Sequence, residues 1–392
     1  MTPGGPRAGA EDRGAARAVS TLALAPPVRD GPRWRDLDLV LVAATAALIA
    51  FGFVVLASAT AGAGDPRSYL QARALHLTLG VAALGLTVLV GYHRLCALWR
   101  WLYLLTLALL VAVMVVGDVR LGAQRWINLG PLGAFQPSEL AKVTLILTLA
   151  RHLDGRKPAE TLWGVAPYLL HVGIPVLLIV QQPDMGTGMV LVAIAAGMLF
   201  LAGVRLRVLA GLAGLGLMGF PFLWSFLHDY QRRRLLVFLN PDIDPLGAGY
   251  ALNQAKIAVG SGQLWGKGLF AGTQNLLRFI PEQHTDFIFT VVGEELGFVG
   301  AAVLLALFLV WLWRALAIAA AAPDRLGRLV AGGVAVMVLF HVVVNVGMTV
   351  GLMPITGIPL PFLSYGGSAL LSLCTATGLL LNIGMGRRRL LR

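Results

Sequence analysis

Charged residues are scarce in this sequence. They make up 13% of its 392 residues, whereas hydrophobic residues make up 57%, and an ordinary soluble domain carries about 25% charge. The polar residues are gathered between apolar runs of roughly 20 residues, the length that crosses a bilayer as a helix. The alternating pattern of a membrane β-barrel is missing. The composition therefore predicts an all-α integral membrane protein.

Cysteine is nearly absent and lysine is rare. The two cysteines, Cys96 and Cys374, offer neither a disulfide framework nor a metal-binding spacing. Of 31 basic residues, four are lysines, and Lys142, Lys256 and Lys267 fall at or near the predicted outer side. An ammonium differs from a guanidinium in geometry and titration, so these three are candidates for specific roles.

The sequence shows no signal peptide before its first apolar run. Residues 1–35 are rich in Gly, Pro, Ala and Arg, which predicts a disordered basic tail in the cytoplasm. The run from about Leu37 to Ala57 has no small-residue cleavage site, so we expect it to remain as an anchor. Residues 36–392 are then one transmembrane domain.

Apolar runs predict a polytopic bundle of about ten spans. A long extracytoplasmic loop, about residues 228–285, separates the seventh span from the eighth. The spans run roughly over 37–58, 74–92, 97–117, 137–151, 163–181, 186–203, 207–227, 286–317, 327–350 and 366–386.

The distribution of Arg and Lys orients the bundle in the inner membrane. The short loops of one side, with the C-terminal tail, gather basic residues, which places both termini in the cytoplasm. The first outer loop holds only Arg67 and Arg73, offset by Asp65. Much of the net charge of +12 is therefore expected from cytoplasmic loops, which collect Lys and Arg, and we do not expect nucleic-acid binding. The basic clusters lie at 94, 151–157, 205–207, 325–328 and 387–392.

Two outer segments carry cations against this rule. Residues 118–136 include Arg125, and residues 228–285 include Arg234, Lys256 and Lys267. These cations could pair with neighbouring carboxylates or lipid phosphates, or they could bind an anionic substrate such as a phosphate. Charge alone leaves both interpretations open.

Two polar strings lie where the fourth and sixth spans begin. QPSELAK (136–142) places Glu139 and Lys142 three residues apart, on one helix face. They could neutralise each other as a buried pair or contact substrate. QQPDMGT (181–187), which contains Asp184, could be a simple turn or part of a site.

The long loop ends in the strongest catalytic candidate. Asp286 stands where the loop re-enters the bilayer, and a carboxylate between water and hydrocarbon has a raised proton affinity that suits a general base. His284 precedes it. Glu294 and Glu295 lie deeper, where they could hydrogen-bond a neighbouring helix or serve function.

A further irregular stretch, residues 354–368, contains Ser364 and follows a helix with His341 and Asn345 on one face. Non-helical backbone at a membrane edge must be buried in protein or line a cavity. The irregular polar segments thus all fall on the outer side. Together they predict chemistry on a lipid-linked anionic substrate at the outer leaflet.

At this point the chain resembles a known family, the SEDS proteins of shape, elongation, division and sporulation, from about residue 36 to the C-terminus. The loop sequences look like the rod-shape (RodA) branch rather than the division (FtsW) branch. The strings that carry the resemblance are GAQRWI (122–127), QPSELAK (136–142), QQPDMGT (181–187), FLNPDIDPLGAGY (238–250), PEQHTDFIFTVVGEELGFVG (281–300) and PITGIPLPFLSYGGS (354–368).

The resemblance implies a ten-span peptidoglycan glycosyltransferase of cell elongation. Its substrate would be lipid II, the undecaprenyl-pyrophosphate-linked disaccharide-pentapeptide, and its partner a class B penicillin-binding protein within the elongation machinery. It implies that Asp286 is the essential aspartate, that Trp126 is important, and that Glu139 and Lys142 are the pair of the central cavity. Gln263 stands where the family usually has Gly, which bears only on local loop shape.

Residues and resemblance together predict an inverting transferase. Asp286 would take the proton of the acceptor 4-hydroxyl as it attacks C1 of the donor sugar. The leaving pyrophosphate would be met by some of Arg125, Arg234, Lys256 and Lys267. A divalent cation (Mg²⁺ or Mn²⁺) could assist, although no ligand cluster requires one. The alternatives are a flippase for lipid II and a scaffold without activity.

Overall fold

The structure is a computed structural model that describes residues 34–62, 65–120, 123–130, 133–227, 229–245 and 247–387. The predicted tail lies outside these residues except for its last two, which begin a short 3-10 turn, Trp34–Asp36. Cys96 and Cys374 are buried free thiols.

Fourteen helices and three short strands make up the described residues. The first helices are α1 Leu39–Ala59, α2 Pro66–Val90, α3 Tyr92–Ala97, α4 Trp99–Val116, α5 Pro137–Leu153, α6 Leu162–Gln181, α7 Met185–Leu201 and α8 Leu206–Phe226. The rest are α9 Asp229–Leu239, α10 Ala248–Ser261, α11 Thr273–Leu276, α12 Ile288–Ala320, α13 Arg325–Thr349 and α14 Gly367–Arg387. The strands β1 Asp118–Arg120, β2 Ala123–Asn128 and β3 Ala134–Phe135 form an antiparallel sheet in the order β1-β2-β3.

Ten of these helices coincide with the ten predicted spans. In the described part of the chain, seven are long and apolar enough to cross a membrane, namely α1, α2, α4, α6, α12, α13 and α14. Helix α7 and Leu206–Phe222 of α8 are apolar but shorter, and α5 carries charges. The predicted class, a polytopic helical membrane protein, is confirmed.

The polar residues between apolar runs act as helix caps. The side chains of Asp38, Asp65, Thr161, Asp184 and Asp324 each accept a backbone N–H in the first turn of α1, α2, α6, α7 and α13 respectively. Such caps satisfy donors that a helix start leaves open.

One loop residue was placed wrongly from sequence. Helix α2 begins at Pro66, so Arg73 is inside the helix rather than in the first outer loop. Its side chain is buried, because its guanidinium donates to the carbonyls of Phe362 and Ser364. An orientation count that treated Arg73 as a loop charge was therefore incorrect for that residue.

The centre of the bundle is formed by α5, α13 and α14. In α13 and α14, 72% and 67% of the spanning window is buried, against 17% in α4, and α5 is buried along most of its length. Helix α14 packs on α2 and α5, α13 packs on α7 and α12, and α12 packs on α1. Polar side chains of these helices, such as Glu139, Lys142 and His341, are therefore buried in protein instead of facing lipid.

The long loop between α8 and α12, which the sequence analysis assigns to the outer side and which is called the outer loop, is folded and largely helical. The sequence analysis did not predict its helices. The loop contains α9, a 3-10 turn at Pro241–Ile243, α10 and α11. Burial of apolar side chains against one another holds it in place. This second core consists of Val237, Ala251, Leu252, Ala255, Ala258, Ile280, Phe287 and Ile355.

Helix α12 is broken at Gly297, whose φ of 65° lies in the left-handed region. The outer loop supplies hydrogen-bond partners for the backbone groups that this break leaves open. The N–H groups of Lys267 and Gly268 donate to the carbonyls of Glu294 and Glu295, each at 3.0 Å. Phe298 and Val299 donate in return to Gln263 and Leu264. Backbone groups freed in a membrane helix must find such partners, so this loop is anchored to the bundle.

Candidate active site

A cavity of about 500 Å³ lies where the predicted segments converge. Its walls come from β2, the start of α5, the turn before α7, α9, the segment 282–286 and the irregular stretch that leads into α14. It is lined by Arg125, Trp126, Gln136, Glu139, Asp184, Tyr230, Arg234, Glu282, Asp286 and Gly357, among others.

The structure brings together most of the predicted site residues but not all of them. Six line the cavity: Arg125, Trp126, Glu139, Asp184, Arg234 and Asp286. Lys142 and Ser364 lie beside it, in a small, mostly apolar pocket that shares Glu139. Lys256, Lys267 and His284 do not line it.

The backbone around Asp286 is fixed by three separate partners. Asn345 Nδ2 donates to the Asp286 carbonyl at 2.8 Å, Ser364 Oγ to the Thr285 carbonyl at 2.6 Å, and the Tyr365 N–H to the His284 carbonyl at 2.9 Å. The carboxylate itself makes no hydrogen bond or ion pair within the described residues. The fold thus fixes the main chain and leaves the side chain available to a ligand in the cavity.

The electrostatics of Asp286 suit a proton acceptor. Burial raises the pKa of Asp286 to about 6, and the nearby Arg234 guanidinium opposes this rise. A carboxylate with that pKa is mostly ionised at pH 7 yet more basic than a solvated one.

Arg234 is the lining cation that has no hydrogen bond or ion pair within the described residues. Its guanidinium lies 5.7 Å from the centre of the Tyr230 ring, and it makes no ion pair within the described part of the chain. It faces Asp286 across Gly357: a β-carbon at Gly357 would lie 3.2 Å from Asp286 Oδ2 and 3.3 Å from Arg234 Nη1. Glycine, with φ of 73° there, keeps this space open.

Arg125, by contrast, has hydrogen-bond donors occupied by other protein groups. Its Nε donates to the Gln182 carbonyl at 3.2 Å, another nitrogen donates to the Pro183 carbonyl, and Nη1 lies 3.6 Å from Asp184 Oδ1. Arg125 therefore clamps the turn before α7, and its charge is partly neutralised.

Asp184 accepts several hydrogen bonds in the same wall of the cavity. Its carboxylate accepts from the Thr187 N–H and hydroxyl, from Gln136 Nε2 at 3.1 Å and from Ser138 Oγ at 3.3 Å. It joins the starts of α5 and α7, so its visible role is to shape the cavity.

Glu139, Lys142 and His341 form a buried chain beneath the cavity. Lys142 Nζ lies 2.7 Å from Glu139 Oε1 and 3.0 Å from His341 Nε2. His341 Nδ1 lies 2.8 Å from the Met337 carbonyl; because a carbonyl can only accept, Nδ1 carries the proton and Nε2 accepts from Lys142. The pairing interpretation of Glu139 and Lys142 fits this geometry.

The remaining candidates lie elsewhere. Lys267 Nζ bonds Glu294 at 2.7 Å, and Glu295 accepts from Ser58, Phe270 and Asn275, so both glutamates secure the outer loop to α12. Lys256 is solvent-exposed. His284 is half-buried against the rings of Tyr69 and Tyr365.

Sequence reasoning missed several supporting residues. Arg73 holds the stretch that carries Ser364, and its signal was a lone cation followed by a long apolar run. Tyr230 donates to the Pro183 carbonyl at 2.7 Å and supports Arg234; no pattern singled it out.

No metal cluster is formed within the described residues, where groups of three or more His, Cys, Asp or Glu placed to hold an ion are absent. The assisting divalent cation stays a prediction.

Comparisons with known proteins agree with this architecture. A profile of the FtsW/RodA/SpoVE family, described as cell cycle protein, matches residues 38–389. The chain is 40% identical over 360 residues to the peptidoglycan glycosyltransferase MrdB of Escherichia coli (strain K12), which covers 90% of this chain and 95% of that protein.

Two solved structures are also similar. One is the rod shape determining protein RodA of Thermus thermophilus, with 36% identity and a TM-score of 0.69 over 91% of this chain and 99% of that one. The other comes from work described as the structural coordination of polymerization and crosslinking by a peptidoglycan synthase complex. It has 37% identity and a TM-score of 0.78 over 90% of this chain and 99% of that one.

Proposed function

The chain belongs to the FtsW/RodA/SpoVE family of cell cycle proteins, which confirms the predicted family, and from that premise we propose the chemistry that its cavity performs. It is a peptidoglycan glycosyltransferase of the rod-shape branch, a multi-pass membrane enzyme that polymerises lipid II into glycan strands. The observation that carries the mechanism is the free carboxylate of Asp286 facing Arg234 in the cavity.

Asp286 acts as the general base. It takes the proton of the acceptor sugar's 4-hydroxyl while that oxygen attacks C1 of the donor sugar. The C1–oxygen bond to the undecaprenyl pyrophosphate breaks with inversion, and the electron pair leaves on the pyrophosphate. Fixed backbone on both sides of Asp286 holds the base in place, which lowers the entropic cost of reaching the reactive geometry.

Arg234 meets the charge of the leaving pyrophosphate. It is the one lining cation without an ion-pair or hydrogen-bond partner in the described residues, and a guanidinium binds phosphate in a bidentate manner. Arg125 lies on the same wall and contributes at longer range. The sequence analysis also proposed Lys256 and Lys267, but Lys256 is solvent-exposed and Lys267 pairs with Glu294, and neither lines the cavity.

The partner is proposed to be a class B penicillin-binding protein of the elongation machinery. The support is the similar chain solved as part of a peptidoglycan synthase complex that coordinates polymerization and crosslinking. The shared fold over nearly all of that chain makes a similar complex the simplest proposal.

Reconstitution tests the function against a lipid II flippase. Purified chain with its transpeptidase partner and fluorescent lipid II in proteoliposomes should give a ladder of glycan strands on a gel, since the cavity holds a base and a phosphate-binding cation. Transbilayer movement of lipid II should equal that of protein-free vesicles. Movement without any ladder would support the flippase and reject the transferase.

The cavity is proposed to open on the extracytoplasmic side, with both termini in the cytoplasm. A cysteine at exposed Asn253 of α10 should react with a membrane-impermeant maleimide on intact spheroplasts, and one at exposed Lys157 should react only after lysis. The native cysteines are buried, so background labelling should be low. The reverse pattern would place the site on the wrong face.

A further inference from the structure

A second outer cavity, also of about 500 Å³, lies beside the catalytic one. It is enclosed by the end of α1, the first turn of α2 and the segment 275–284. Glu282 lines both cavities. Thr285 and Asp286 line the catalytic cavity, whereas Gln283 and His284 line the second. The segment that carries the catalytic base is therefore the wall between two cavities.

Two buried amides in the second cavity have unused hydrogen-bonding atoms. Gln283 is 6% exposed and Asn275 is 2% exposed. Within the described residues, Gln283 Nε2 and Asn275 Oδ1 have no partner. Asn275 Nδ2 is occupied by the Ser58 carbonyl and Glu295, which turns its oxygen away from them. A buried donor and a buried acceptor left open are costly, and a ligand with hydroxyl and acetamido groups satisfies both.

The charge of this cavity differs from that of the first. Its lining carboxylates are Asp65 and Glu282, and its cation, Arg278, donates to the Gly62 carbonyl. Pyrophosphate is disfavoured there, whereas the catalytic cavity offers the uncommitted Arg234. The rings of Tyr69 and His284 add apolar surface. Amides, carboxylates and aromatic rings together are suited to an uncharged sugar.

The backbone of this wall is held in an unfavourable conformation. Arg278 and Glu282 have φ of 55° and 50°, a region that non-glycine residues rarely adopt. The Glu282 carbonyl accepts from the N–H groups of Thr285 and Asp286, each at 3.1 Å. Strain of this kind collects at ligand-binding and catalytic segments, and here it lies between the two cavities.

We propose that the second cavity is a saccharide subsite that holds the growing glycan strand next to Asp286 between successive transfers. The proposal rests on the proposed function, because it names a second binding site for the same reaction. The pyrophosphate of the donor occupies the cavity with Arg234, and the uncharged part of the strand occupies the cavity with Gln283. A strand held in this way dissociates less often, so the subsite determines chain length.

The test is chain length measured together with the rate of the first transfer. Gln283→Leu removes the open donor at nearly constant volume. It should shorten the mean strand by about 3- to 10-fold, the factor of one neutral hydrogen bond, while the rate of the first transfer and the KM for lipid II stay within about twofold. Tyr69→Leu removes a ring from the same cavity and should shorten strands in the same way. If Gln283→Leu fails to fold, Tyr69→Leu is the variant that tests the proposal.

Gln274→Leu is the matched control. Gln274 lies next to Asn275 and also has a buried amide oxygen without a partner in the described residues, but it does not line the cavity. Its strands should have wild-type length. Millimolar chitotetraose, a soluble β-1,4-linked saccharide, should shorten wild-type strands and have little effect on Gln283→Leu.

The possible failures can be told apart. Wild-type strand length in both cavity variants, from an active enzyme, overturns the subsite. A higher KM for lipid II at unchanged strand length overturns it too, since the cavity would then bind incoming substrate. If wild-type protein forms no strands at all, the proposed function itself fails.

Discussion

Asp286→Asn should reduce the polymerisation of lipid II by at least about 100-fold, because general-base assistance contributes roughly 10² to 10⁴ in rate. The amide keeps the shape of the carboxylate but cannot take a proton. The bonds that fix this segment are made by the carbonyls of His284, Thr285 and Asp286, so the variant should insert, fold and bind its partner normally.

The measurement is glycan ladder formation at matched expression, with Asp242→Asn as control. Asp242 is an exposed aspartate of the same outer loop, and its variant should keep the wild-type rate. Long strands at nearly wild-type rate from Asp286→Asn would remove Asp286 as the base even though the family membership stands. A flippase predicts little effect, since lipid movement needs no base.

The pH profile gives an independent readout of the same group. The base works only when ionised, and burial raises the pKa of Asp286 to about 6, so the rate should fall as the pH drops through about 6. Arg234 opposes that rise. In Arg234→Gln the acidic limb should therefore move to higher pH, while the maximum rate also falls through loss of a phosphate contact. An unmoved limb would show that Arg234 does not act on Asp286.

Much of the bundle could be predicted because its determinants are local. Apolar runs of bilayer length and their flanking Asp and Thr caps gave ten helices near the predicted positions. The outer loop was harder, since α9 and α10 are short and are stabilised by burial against Ile280, Phe287 and Ile355. Those partners are distant in sequence, and no local pattern reveals them.

The candidate site was likewise predictable from sequence only in part. Asp286 was predictable from its position at a loop–helix junction, and the resemblance strengthened that prediction. Which cations have an ion-pair partner was not predictable: no sequence pattern assigns a partner to Arg125, Arg234 or Lys267, yet the fold pairs the first with Asp184 and the third with Glu294. Whether a cation has an ion-pair partner depends on its neighbours in space. Arg234 has none because α9 places its guanidinium beside Gly357, on the opposite side from Asp286.

Breaking the Glu139–Lys142 pair should cost about 3–5 kcal/mol of stability, the usual penalty for leaving one buried charge without its partner. Both side chains are almost inaccessible, with 5% and 4% exposed, and they lie 2.7 Å apart on α5. Glu139→Gln leaves the Lys142 ammonium with His341 alone. Lys142→Met leaves the Glu139 carboxylate at the base of the cavity without a cation. Changing both removes the two charges together, so the double variant should be more stable than either single variant.

The C-terminal end of α5, with its capping residue Asp154, supplies a control for that cycle. Arg151 and Asp154 have the same three-residue spacing and lie 3.1 Å apart, but their side chains are 48% and 24% exposed. Water screens such a pair, and its coupling energy should stay below about 1 kcal/mol. Unfolding free energies of both cycles in one detergent give the two coupling energies directly. A large coupling for Glu139 and Lys142 beside a small one for Arg151 and Asp154 is the expected result. Additive single effects at Glu139 and Lys142 would mean that the pair does not neutralise itself, and that each charge is instead held by its other neighbours around the cavity.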